Sequence, residues 1–208
     1  MRHVVMIALF PLAGMLACSD EAADRQSESV ALADRASAAS QPAASQPATD
    51  DPSVGAELRP AAPRAELIPA GEPAAEFSAK DHKGQTLRLS ELLEKQRVVL
   101  VFYPADFTPG CTKQLCAVRD DWSEFERRNA TVLGVNPASI ETHARFAEEH
   151  GFPFPVISDE ESAIAAAYGC KGKDHTQRVV YVIGRDGKVL LSEAGMVPHE
   201  KIFAALGE

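Results

Sequence analysis

Six consecutive apolar residues, Val98-Val99-Leu100-Val101-Phe102-Tyr103, run straight into Pro104-Ala105-Asp106-Phe107-Thr108-Pro109-Gly110-Cys111. The run reads as a buried strand. Beyond Cys111, Leu115, Val118, Trp122 and Phe125 recur at three- and four-residue steps, while Arg119, Asp120, Glu124, Arg127 and Arg128 fill the other side. That periodicity describes an amphipathic helix. The chain therefore carries a cysteine off the end of a strand, through a Pro/Gly loop, into the first turn of a helix. Backbone N–H groups lack intrahelical partners there, and the helix dipole favours negative charge. Both effects favour thiolate over thiol, and the thiolate is the nucleophile.

A second cysteine stands five residues on, at Cys116. On a continuous helix five residues rise roughly 7.5 Å and turn about 140° off the first position, which puts the two Cα atoms roughly 8 to 9 Å apart. A disulfide needs them within about 7 Å. The pair can close only if the first turns of the helix unwind. A catalytic pair, in which Cys111 reacts and Cys116 resolves, suits this spacing better than a static bridge. It also suits it better than a zinc pair, whose cysteines stand two to four residues apart with further ligands nearby. The structural bridge and the metal pair remain open at this point.

Pro104-xxx-Thr108-xx-Cys111 resembles the active-site signature of the peroxiredoxins, the thiol peroxidases. Thr108-Pro109-Gly110-Cys111-Thr112, with Cys116 and Arg119 downstream, is similar to the bacterioferritin-comigratory-protein or PrxQ branch. The resemblance runs from Leu67 to the C-terminus. It includes Gly71 to Phe77 (with Ala74-Ala75 where Ala-Pro is usual), the segment Phe146 to Phe154, Ser158-Asp159, and Arg178 two residues before Val180-Tyr181-Val182-Ile183. It implies a thioredoxin-like fold and no cofactor. It also implies reduction of hydrogen peroxide and organic hydroperoxides by peroxidatic Cys111, with Thr108, Arg178 and Pro104 shaping the site. Thr108 would supply a hydroxyl, Arg178 a permanent cation with several donors, and Pro104 a shield for the thiolate. Cys111 sulfenic acid would then condense with Cys116, and a thioredoxin-like dithiol would reopen the disulfide by exchange.

Each residue also has a plainer reading. Thr108 is a favoured N-cap type, Pro104 and Pro109 suit loop and first-turn positions, and a lone arginine such as Arg178 pairs by default at a surface. Trp122 and Phe125 read as core. A copper chaperone on the same fold would use Cys-xxx-Cys-Pro, whereas this chain has Cys-xxxx-Cys followed by Ala117; a general disulfide oxidoreductase would use Cys-xx-Cys. A membrane-tethered redox sensor, read through the 111–116 disulfide, is the non-enzymatic alternative.

The amino terminus bears on compartment. Met1-Arg2-His3 is a short basic start, and Val4 to Ala17 is apolar apart from Pro11. Fourteen residues are too few for a span of roughly 20 and suit a secretory signal over 1–17. Met15-Leu16-Ala17-Cys18 is similar to a bacterial lipoprotein cleavage box, so Cys18 is the expected lipidated residue, with membrane anchoring at the periplasmic face; plain signal cleavage with release to the periplasm and an uncleaved anchor are the alternatives. Residues 18–66 contain no aromatic residue, repeat Ala-Ser-Gln-Pro-Ala at 39–48 and hold five prolines. Such a segment cannot bury enough apolar surface to offset its ordering entropy and reads as a tether. Nine acids against four arginines give it −5 of the chain's formal −9, a balance that argues against nucleic-acid binding.

Residues 67–208 suit one domain, expected to be monomeric by analogy with the PrxQ branch. Short strands are expected at 76–79 and 85–89 around Lys83-Gly84, then a helix from Ser90, the 97–103 strand and the Cys111 helix. A strand at 131–135 follows, with a helix marked by Ile140, Ala144 and Ala147. Next come a strand at 154–157, a helix over 160–168 capped by Asp159, a hairpin 178–183/189–193, and a helix after Pro198. The class is α/β, a mixed sheet flanked by helices. Cys170 is left over from the redox pair; it is open to pairing with Cys111 or another chain, though a spare small residue suits it better. His82, His143, His150, His175 and His199 show no metal-ligand spacing and are expected to be mostly solvated.

Overall fold

The computed structural model describes residues 61–207. The expected signal (1–17), Cys18 and the tether up to residue 60 lie outside the described residues. Of the remaining tether, Ala61 packs against the core and the Arg64 N–H donates to the Ala166 carbonyl at 2.9 Å.

A short antiparallel hairpin, β1 (Ser78–Lys80) and β2 (Thr86–Arg88), precedes helix α1 (Leu89–Leu93). Then come β3 (Arg97–Phe102), α2 (Pro109–Asp120), α3 (Trp122–Arg127), β4 (Ala130–Asn136), α4 (Ile140–His150) and β5 (Val156–Ser158). The chain finishes with α5 (Ala163–Ala167), β6 (Val179–Ile183), β7 (Val189–Ala194) and α6 (His199–Leu206). Five strands form one mixed sheet in the order β5-β4-β3-β6-β7. The βαβ crossovers make β3, β4 and β5 parallel, whereas β6 and β7 run antiparallel as a hairpin. Its turn closes at Gly187, whose φ of 77° is a left-handed value that glycine adopts without cost.

β3 lies at the centre, and its pleat sorts its side chains onto two faces. Val98, Leu100 and Phe102 pack with Leu89, Leu93, Ile164 and Tyr168, beneath α1 and α5. Val99, Val101 and Tyr103 pack with Cys111, Leu115, Val118, Phe125, Phe146 and Ile202, beneath α2, α3, α4 and α6. Both layers are needed because a strand apolar on two faces must be covered twice. Cys170 belongs to the first layer and Cys111 to the second, so the sheet separates them.

Two expectations are corrected. The helix carrying Leu115 to Phe125 is interrupted at Asp121, which has φ −97° and ψ 14°. The three-four periodicity survives the break, because α3 still turns Phe125 onto the sheet. The helix expected over 160–168 starts only at Ala163, after Ser162 adopts a left-handed φ of 55°. Asp159 reaches across this offset, accepting from the Ile164 and Ala165 N–H groups at 3.0 and 2.8 Å. The helix marked by Ile140, Ala144 and Ala147 is present as α4, with His143, Phe146 and Ala147 on its buried face and Ile140 and Ala144 half-buried. Gly169 marks a further constraint: a Cβ there would collide with the Glu66 backbone, which crosses directly over it.

Candidate active site

Strand β3 ends at Phe102, Tyr103 and Pro104 follow, and the chain turns through residues 105–108 into α2. Thr108 holds the N-cap position with extended backbone, φ −82° and ψ 141°, and Pro109 opens the helix. Proline suits this place because its missing N–H would have had no helical partner. The Thr112 N–H donates to the Thr108 carbonyl at 2.9 Å, closing the first turn around Cys111. Thr108 does not cap with its side chain: its hydroxyl donates to the Ala105 carbonyl at 3.1 Å. With the proton so committed, the oxygen keeps lone pairs to accept from a substrate hydroxyl.

Cys111 is the third residue of α2 and is 1% exposed. Arg178, immediately before β6, reaches it on the same face of the sheet: Nη2 donates to Sγ at 3.2 Å, and Nη1 donates to Gln114 Oε1. The backbone of Arg178 is held in turn, its carbonyl accepting from the Gly195 N–H at 2.8 Å. One planar guanidinium thus meets two acceptors on one face of α2. Pro104 is half-buried where β3 gives way to the loop. Cys116 is a half-buried free thiol on the same uninterrupted helix as Cys111. Straight-helix geometry therefore holds for the pair, which stand roughly 8 to 9 Å apart at Cα, too far for a disulfide without unwinding.

Several contributors were not foreseen. Gln114 stands three residues after Cys111, so the two share a helix face; that spacing was the available signal. Beneath the loop lies a polar cluster. Asp106 Oδ1 accepts from the Tyr103 hydroxyl at 2.7 Å and from Asn136 Nδ2 at 2.7 Å, while Oδ2 meets His143 Nδ1 at 2.8 Å. Burial alone would push the Asp106 carboxyl up, but the bonds from His143, Tyr103 and Asn136 outweigh it, and its pKa falls below the usual value. The Tyr103 phenol is pushed well up, chiefly by burial and then by the neighbouring Asp106 charge.

The expectation that the histidines are mostly solvated fails. His143 is fully buried against Asp106, and His199 is largely covered, its Nδ1 lying 2.6 Å from Asp121 Oδ2. Helical periodicity could not reveal this, because each partner lies on another element. Among the described residues no group of three or more His, Cys, Asp or Glu side chains could hold a metal ion, and no helix is long and apolar enough to cross a membrane. Cys170 is a free, buried thiol whose Sγ lies 3.5 Å from the Tyr168 carbonyl, and burial pushes its pKa up to about 12.

Comparison with known proteins bears on family and fold. Residues 70–192, more than half of the chain, match the AhpC/TSA family. A putative peroxiredoxin of Mycobacterium tuberculosis is 40% identical over 145 residues, which make up 65% of this chain and 94% of that protein. The crystal structure of peroxidoxin BcpB from the same organism is similar with a TM-score of 0.64 at 35% identity, covering 67% of this chain and 96% of its own. A bacterioferritin comigratory protein of Xanthomonas campestris, whose structure was described for alkyl peroxide reduction, has a TM-score of 0.58 at 26% identity, covering 62% and 89% of the two chains.

Proposed function

The chain belongs to the AhpC/TSA family as a peroxiredoxin, a thiol peroxidase of thioredoxin-like fold, and we propose from that premise that Cys111 is its peroxidatic sulfur and Cys116 the resolving one. The observation that carries this reading is the Arg178 Nη2 donor 3.2 Å from Cys111 Sγ, at the opening turn of α2.

The reaction is an in-line displacement. Cys111 thiolate attacks one peroxide oxygen, an S–O bond forms, the O–O bond breaks, and the other oxygen leaves as alkoxide or hydroxide and takes up a proton. Sulfur is oxidised and peroxide reduced by two electrons, leaving Cys111 sulfenic acid. Catalysis then rests on holding the peroxide in line and on donors fixed where charge develops. Arg178 supplies such donors beside the sulfur, the Thr108 oxygen can accept from the peroxide hydroxyl, and Pro104 limits access of water. Cys116 then attacks the sulfenic sulfur, forming the disulfide and releasing water. A thioredoxin-like dithiol restores both thiols by exchange and is itself oxidised to a disulfide.

Hydrogen peroxide and organic hydroperoxides are the proposed substrates; the activity described for the Xanthomonas relative supports the latter. We place the monomeric domain in the cell envelope, exported by residues 1–17 and anchored through lipidated Cys18. The apolar stretch ending in Leu16-Ala17-Cys18 supports this, and fatty-acid labelling lost in Cys18→Ser tests it.

Rapid mixing of the reduced protein with peroxide, followed by mass analysis of the cysteines, tests the chemistry. Wild type should oxidise far faster than free cysteine and lose two protons' mass at Cys111 and Cys116. Cys111→Ser should not react, while Cys116→Ser should stop after one stoichiometric oxidation when no thiol is added. Multiple turnover in Cys111→Ser would end the assignment.

A further inference from the structure

Helix α4 does not touch the peroxide in the reading above, yet three of its side chains meet the loop that delivers Cys111. His143 and Phe146 stand three residues apart on its buried face. His143 Nδ1 meets Asp106 Oδ2 at 2.8 Å, with the His143 side chain 0% and the Asp106 side chain 2% exposed. The ring of Phe146 lies edge-on to Phe107, centroids 4.9 Å apart, and the Arg145 guanidinium sits 5.6 Å over the same Phe107 ring. Consecutive loop residues, one polar and one aromatic, are therefore held by one helix.

Phe107 needs such holding. Its φ is 57°, a left-handed value that a bulky residue adopts only at a cost. A residue of this kind persists where its surroundings over-determine it. The next residue, Thr108, is the N-cap of α2, so relaxation of Phe107 would move the first helical turn and Cys111 with it. Asp106 anchors the same loop from below through donors on three segments: Tyr103 at the end of β3, Asn136 at the end of β4, and His143 in α4. Tyr103 also packs in the apolar layer that holds Cys111. Among the described residues the buried His143 Nε2 has no hydrogen-bond partner, and the ring's hydrogen bond is the one between Nδ1 and Asp106.

We propose that Asp106 is a positioning residue for the peroxide reaction, held by His143, Tyr103 and Asn136, and that with Phe107–Phe146 it clamps the loop in the geometry Cys111 needs for attack. The inference rests on the peroxidase reading. It adds that the clamp opposes the unwinding through which Cys111 reaches Cys116. Loosening it slows peroxide attack but not disulfide formation, a split that a general loss of stability would not produce.

The test resolves the two steps by stopped flow on the full chain, well below the melting temperature, in His143→Leu, His143→Asn and Tyr103→Phe. Asparagine keeps an amide donor near the place of Nδ1; leucine does not. His143→Leu should slow oxidation of Cys111 by peroxide about tenfold or more, since small misplacements of reacting groups cost of that order. The later disulfide step should be unchanged or faster, and His143→Asn should recover most of the oxidation rate. Tyr103→Phe, which deletes one of three donors, should show a smaller loss of the same kind. Should His143→Leu fail to fold, Tyr103→Phe and His143→Asn carry the test alone. Rates within twofold of wild type for oxidation in every folded variant would overturn the proposal, as would equal slowing of both steps. Slow wild-type oxidation would instead overturn the peroxidase reading.

Discussion

Gln114 Oε1 accepts from one terminal nitrogen of Arg178 while the other donates to Cys111 Sγ at 3.2 Å. Cys111 and Gln114 sit one turn apart on α2, so the helix presents both acceptors to a single guanidinium plane. The cation is thereby aimed by the helix that carries the proposed nucleophile. A lysine could not reproduce this, since an ammonium on a flexible stem lacks the rigid fork.

Removing the second anchor should therefore lower reactivity without unfolding the protein. Gln114→Leu leaves Arg178 with a free fork beside the sulfur; a hydrogen bond to a charged group is worth about 1.5 to 3 kcal/mol. We expect a loss of about tenfold or more in the second-order rate with peroxide, and a larger one in Arg178→Lys. Stopped-flow oxidation of Gln114→Leu at the wild-type rate would show that α2 does not aim the guanidinium.

Oxidation should also be visible in the backbone. With Cys111 and Cys116 in one continuous helix, their disulfide requires α2 to open, so amides of residues 109–118 should exchange faster in the oxidised protein. The protein in which Cys116→Ser blocks closure should keep the reduced pattern after treatment with peroxide. Equal protection in both redox states would contradict the resolving role of Cys116.

The strands and most helices were legible because apolar runs and three-four spacing follow directly from burial. Val98 to Tyr103 fills both faces of a central strand, and the hairpin expected over 178–183 and 189–193 is β6 and β7. Pro104, Thr108 and Cys111, the proposed site residues, stood out in the sequence because they share one short segment. Asp106, His143 and Gln114 were not read as site residues. Each is polar in a local pattern that suits solvent, and each meets a partner from elsewhere in the chain: Asn136 and His143 for Asp106, Asp106 for His143, Arg178 for Gln114. The break at Asp121 was hidden for a related reason. The apolar spacing continues through it, and the His199 contact at 2.6 Å comes from the far end of the chain.

Asp159 gives a stability test away from the chemistry. Its carboxylate holds the opening N–H groups of α5, a five-residue helix with no other side-chain cap. Asp159→Ala removes a buried acceptor and leaves two buried donors unmet, which costs about 1 to 3 kcal/mol. Urea unfolding should show that loss, with the peroxide rate below the transition unchanged because α5 lies on the other side of the sheet from Cys111.

Cys170 should act on stability through pH. Burial raises its pKa from 9.0 to about 12, so in the folded protein it stays a thiol where the unfolded chain ionises. Below the unfolded value both states hold the proton and the folded state loses nothing. As pH rises toward the folded value, the unfolded state binds fewer protons, and stability falls. Tyr168 and Tyr181, both raised by burial in the same layer, push in the same direction at higher pH. The loss between pH 8.5 and 10.5 should reach on the order of 1 to 3 kcal/mol, and Cys170→Ala should flatten it while leaving peroxide reduction intact. In the native protein at pH 8, iodoacetamide should label Cys116 well before Cys170. Prompt labelling of Cys170, or an alkaline stability slope unaltered in Cys170→Ala, would show that its thiol is not held in the apolar layer beneath α5.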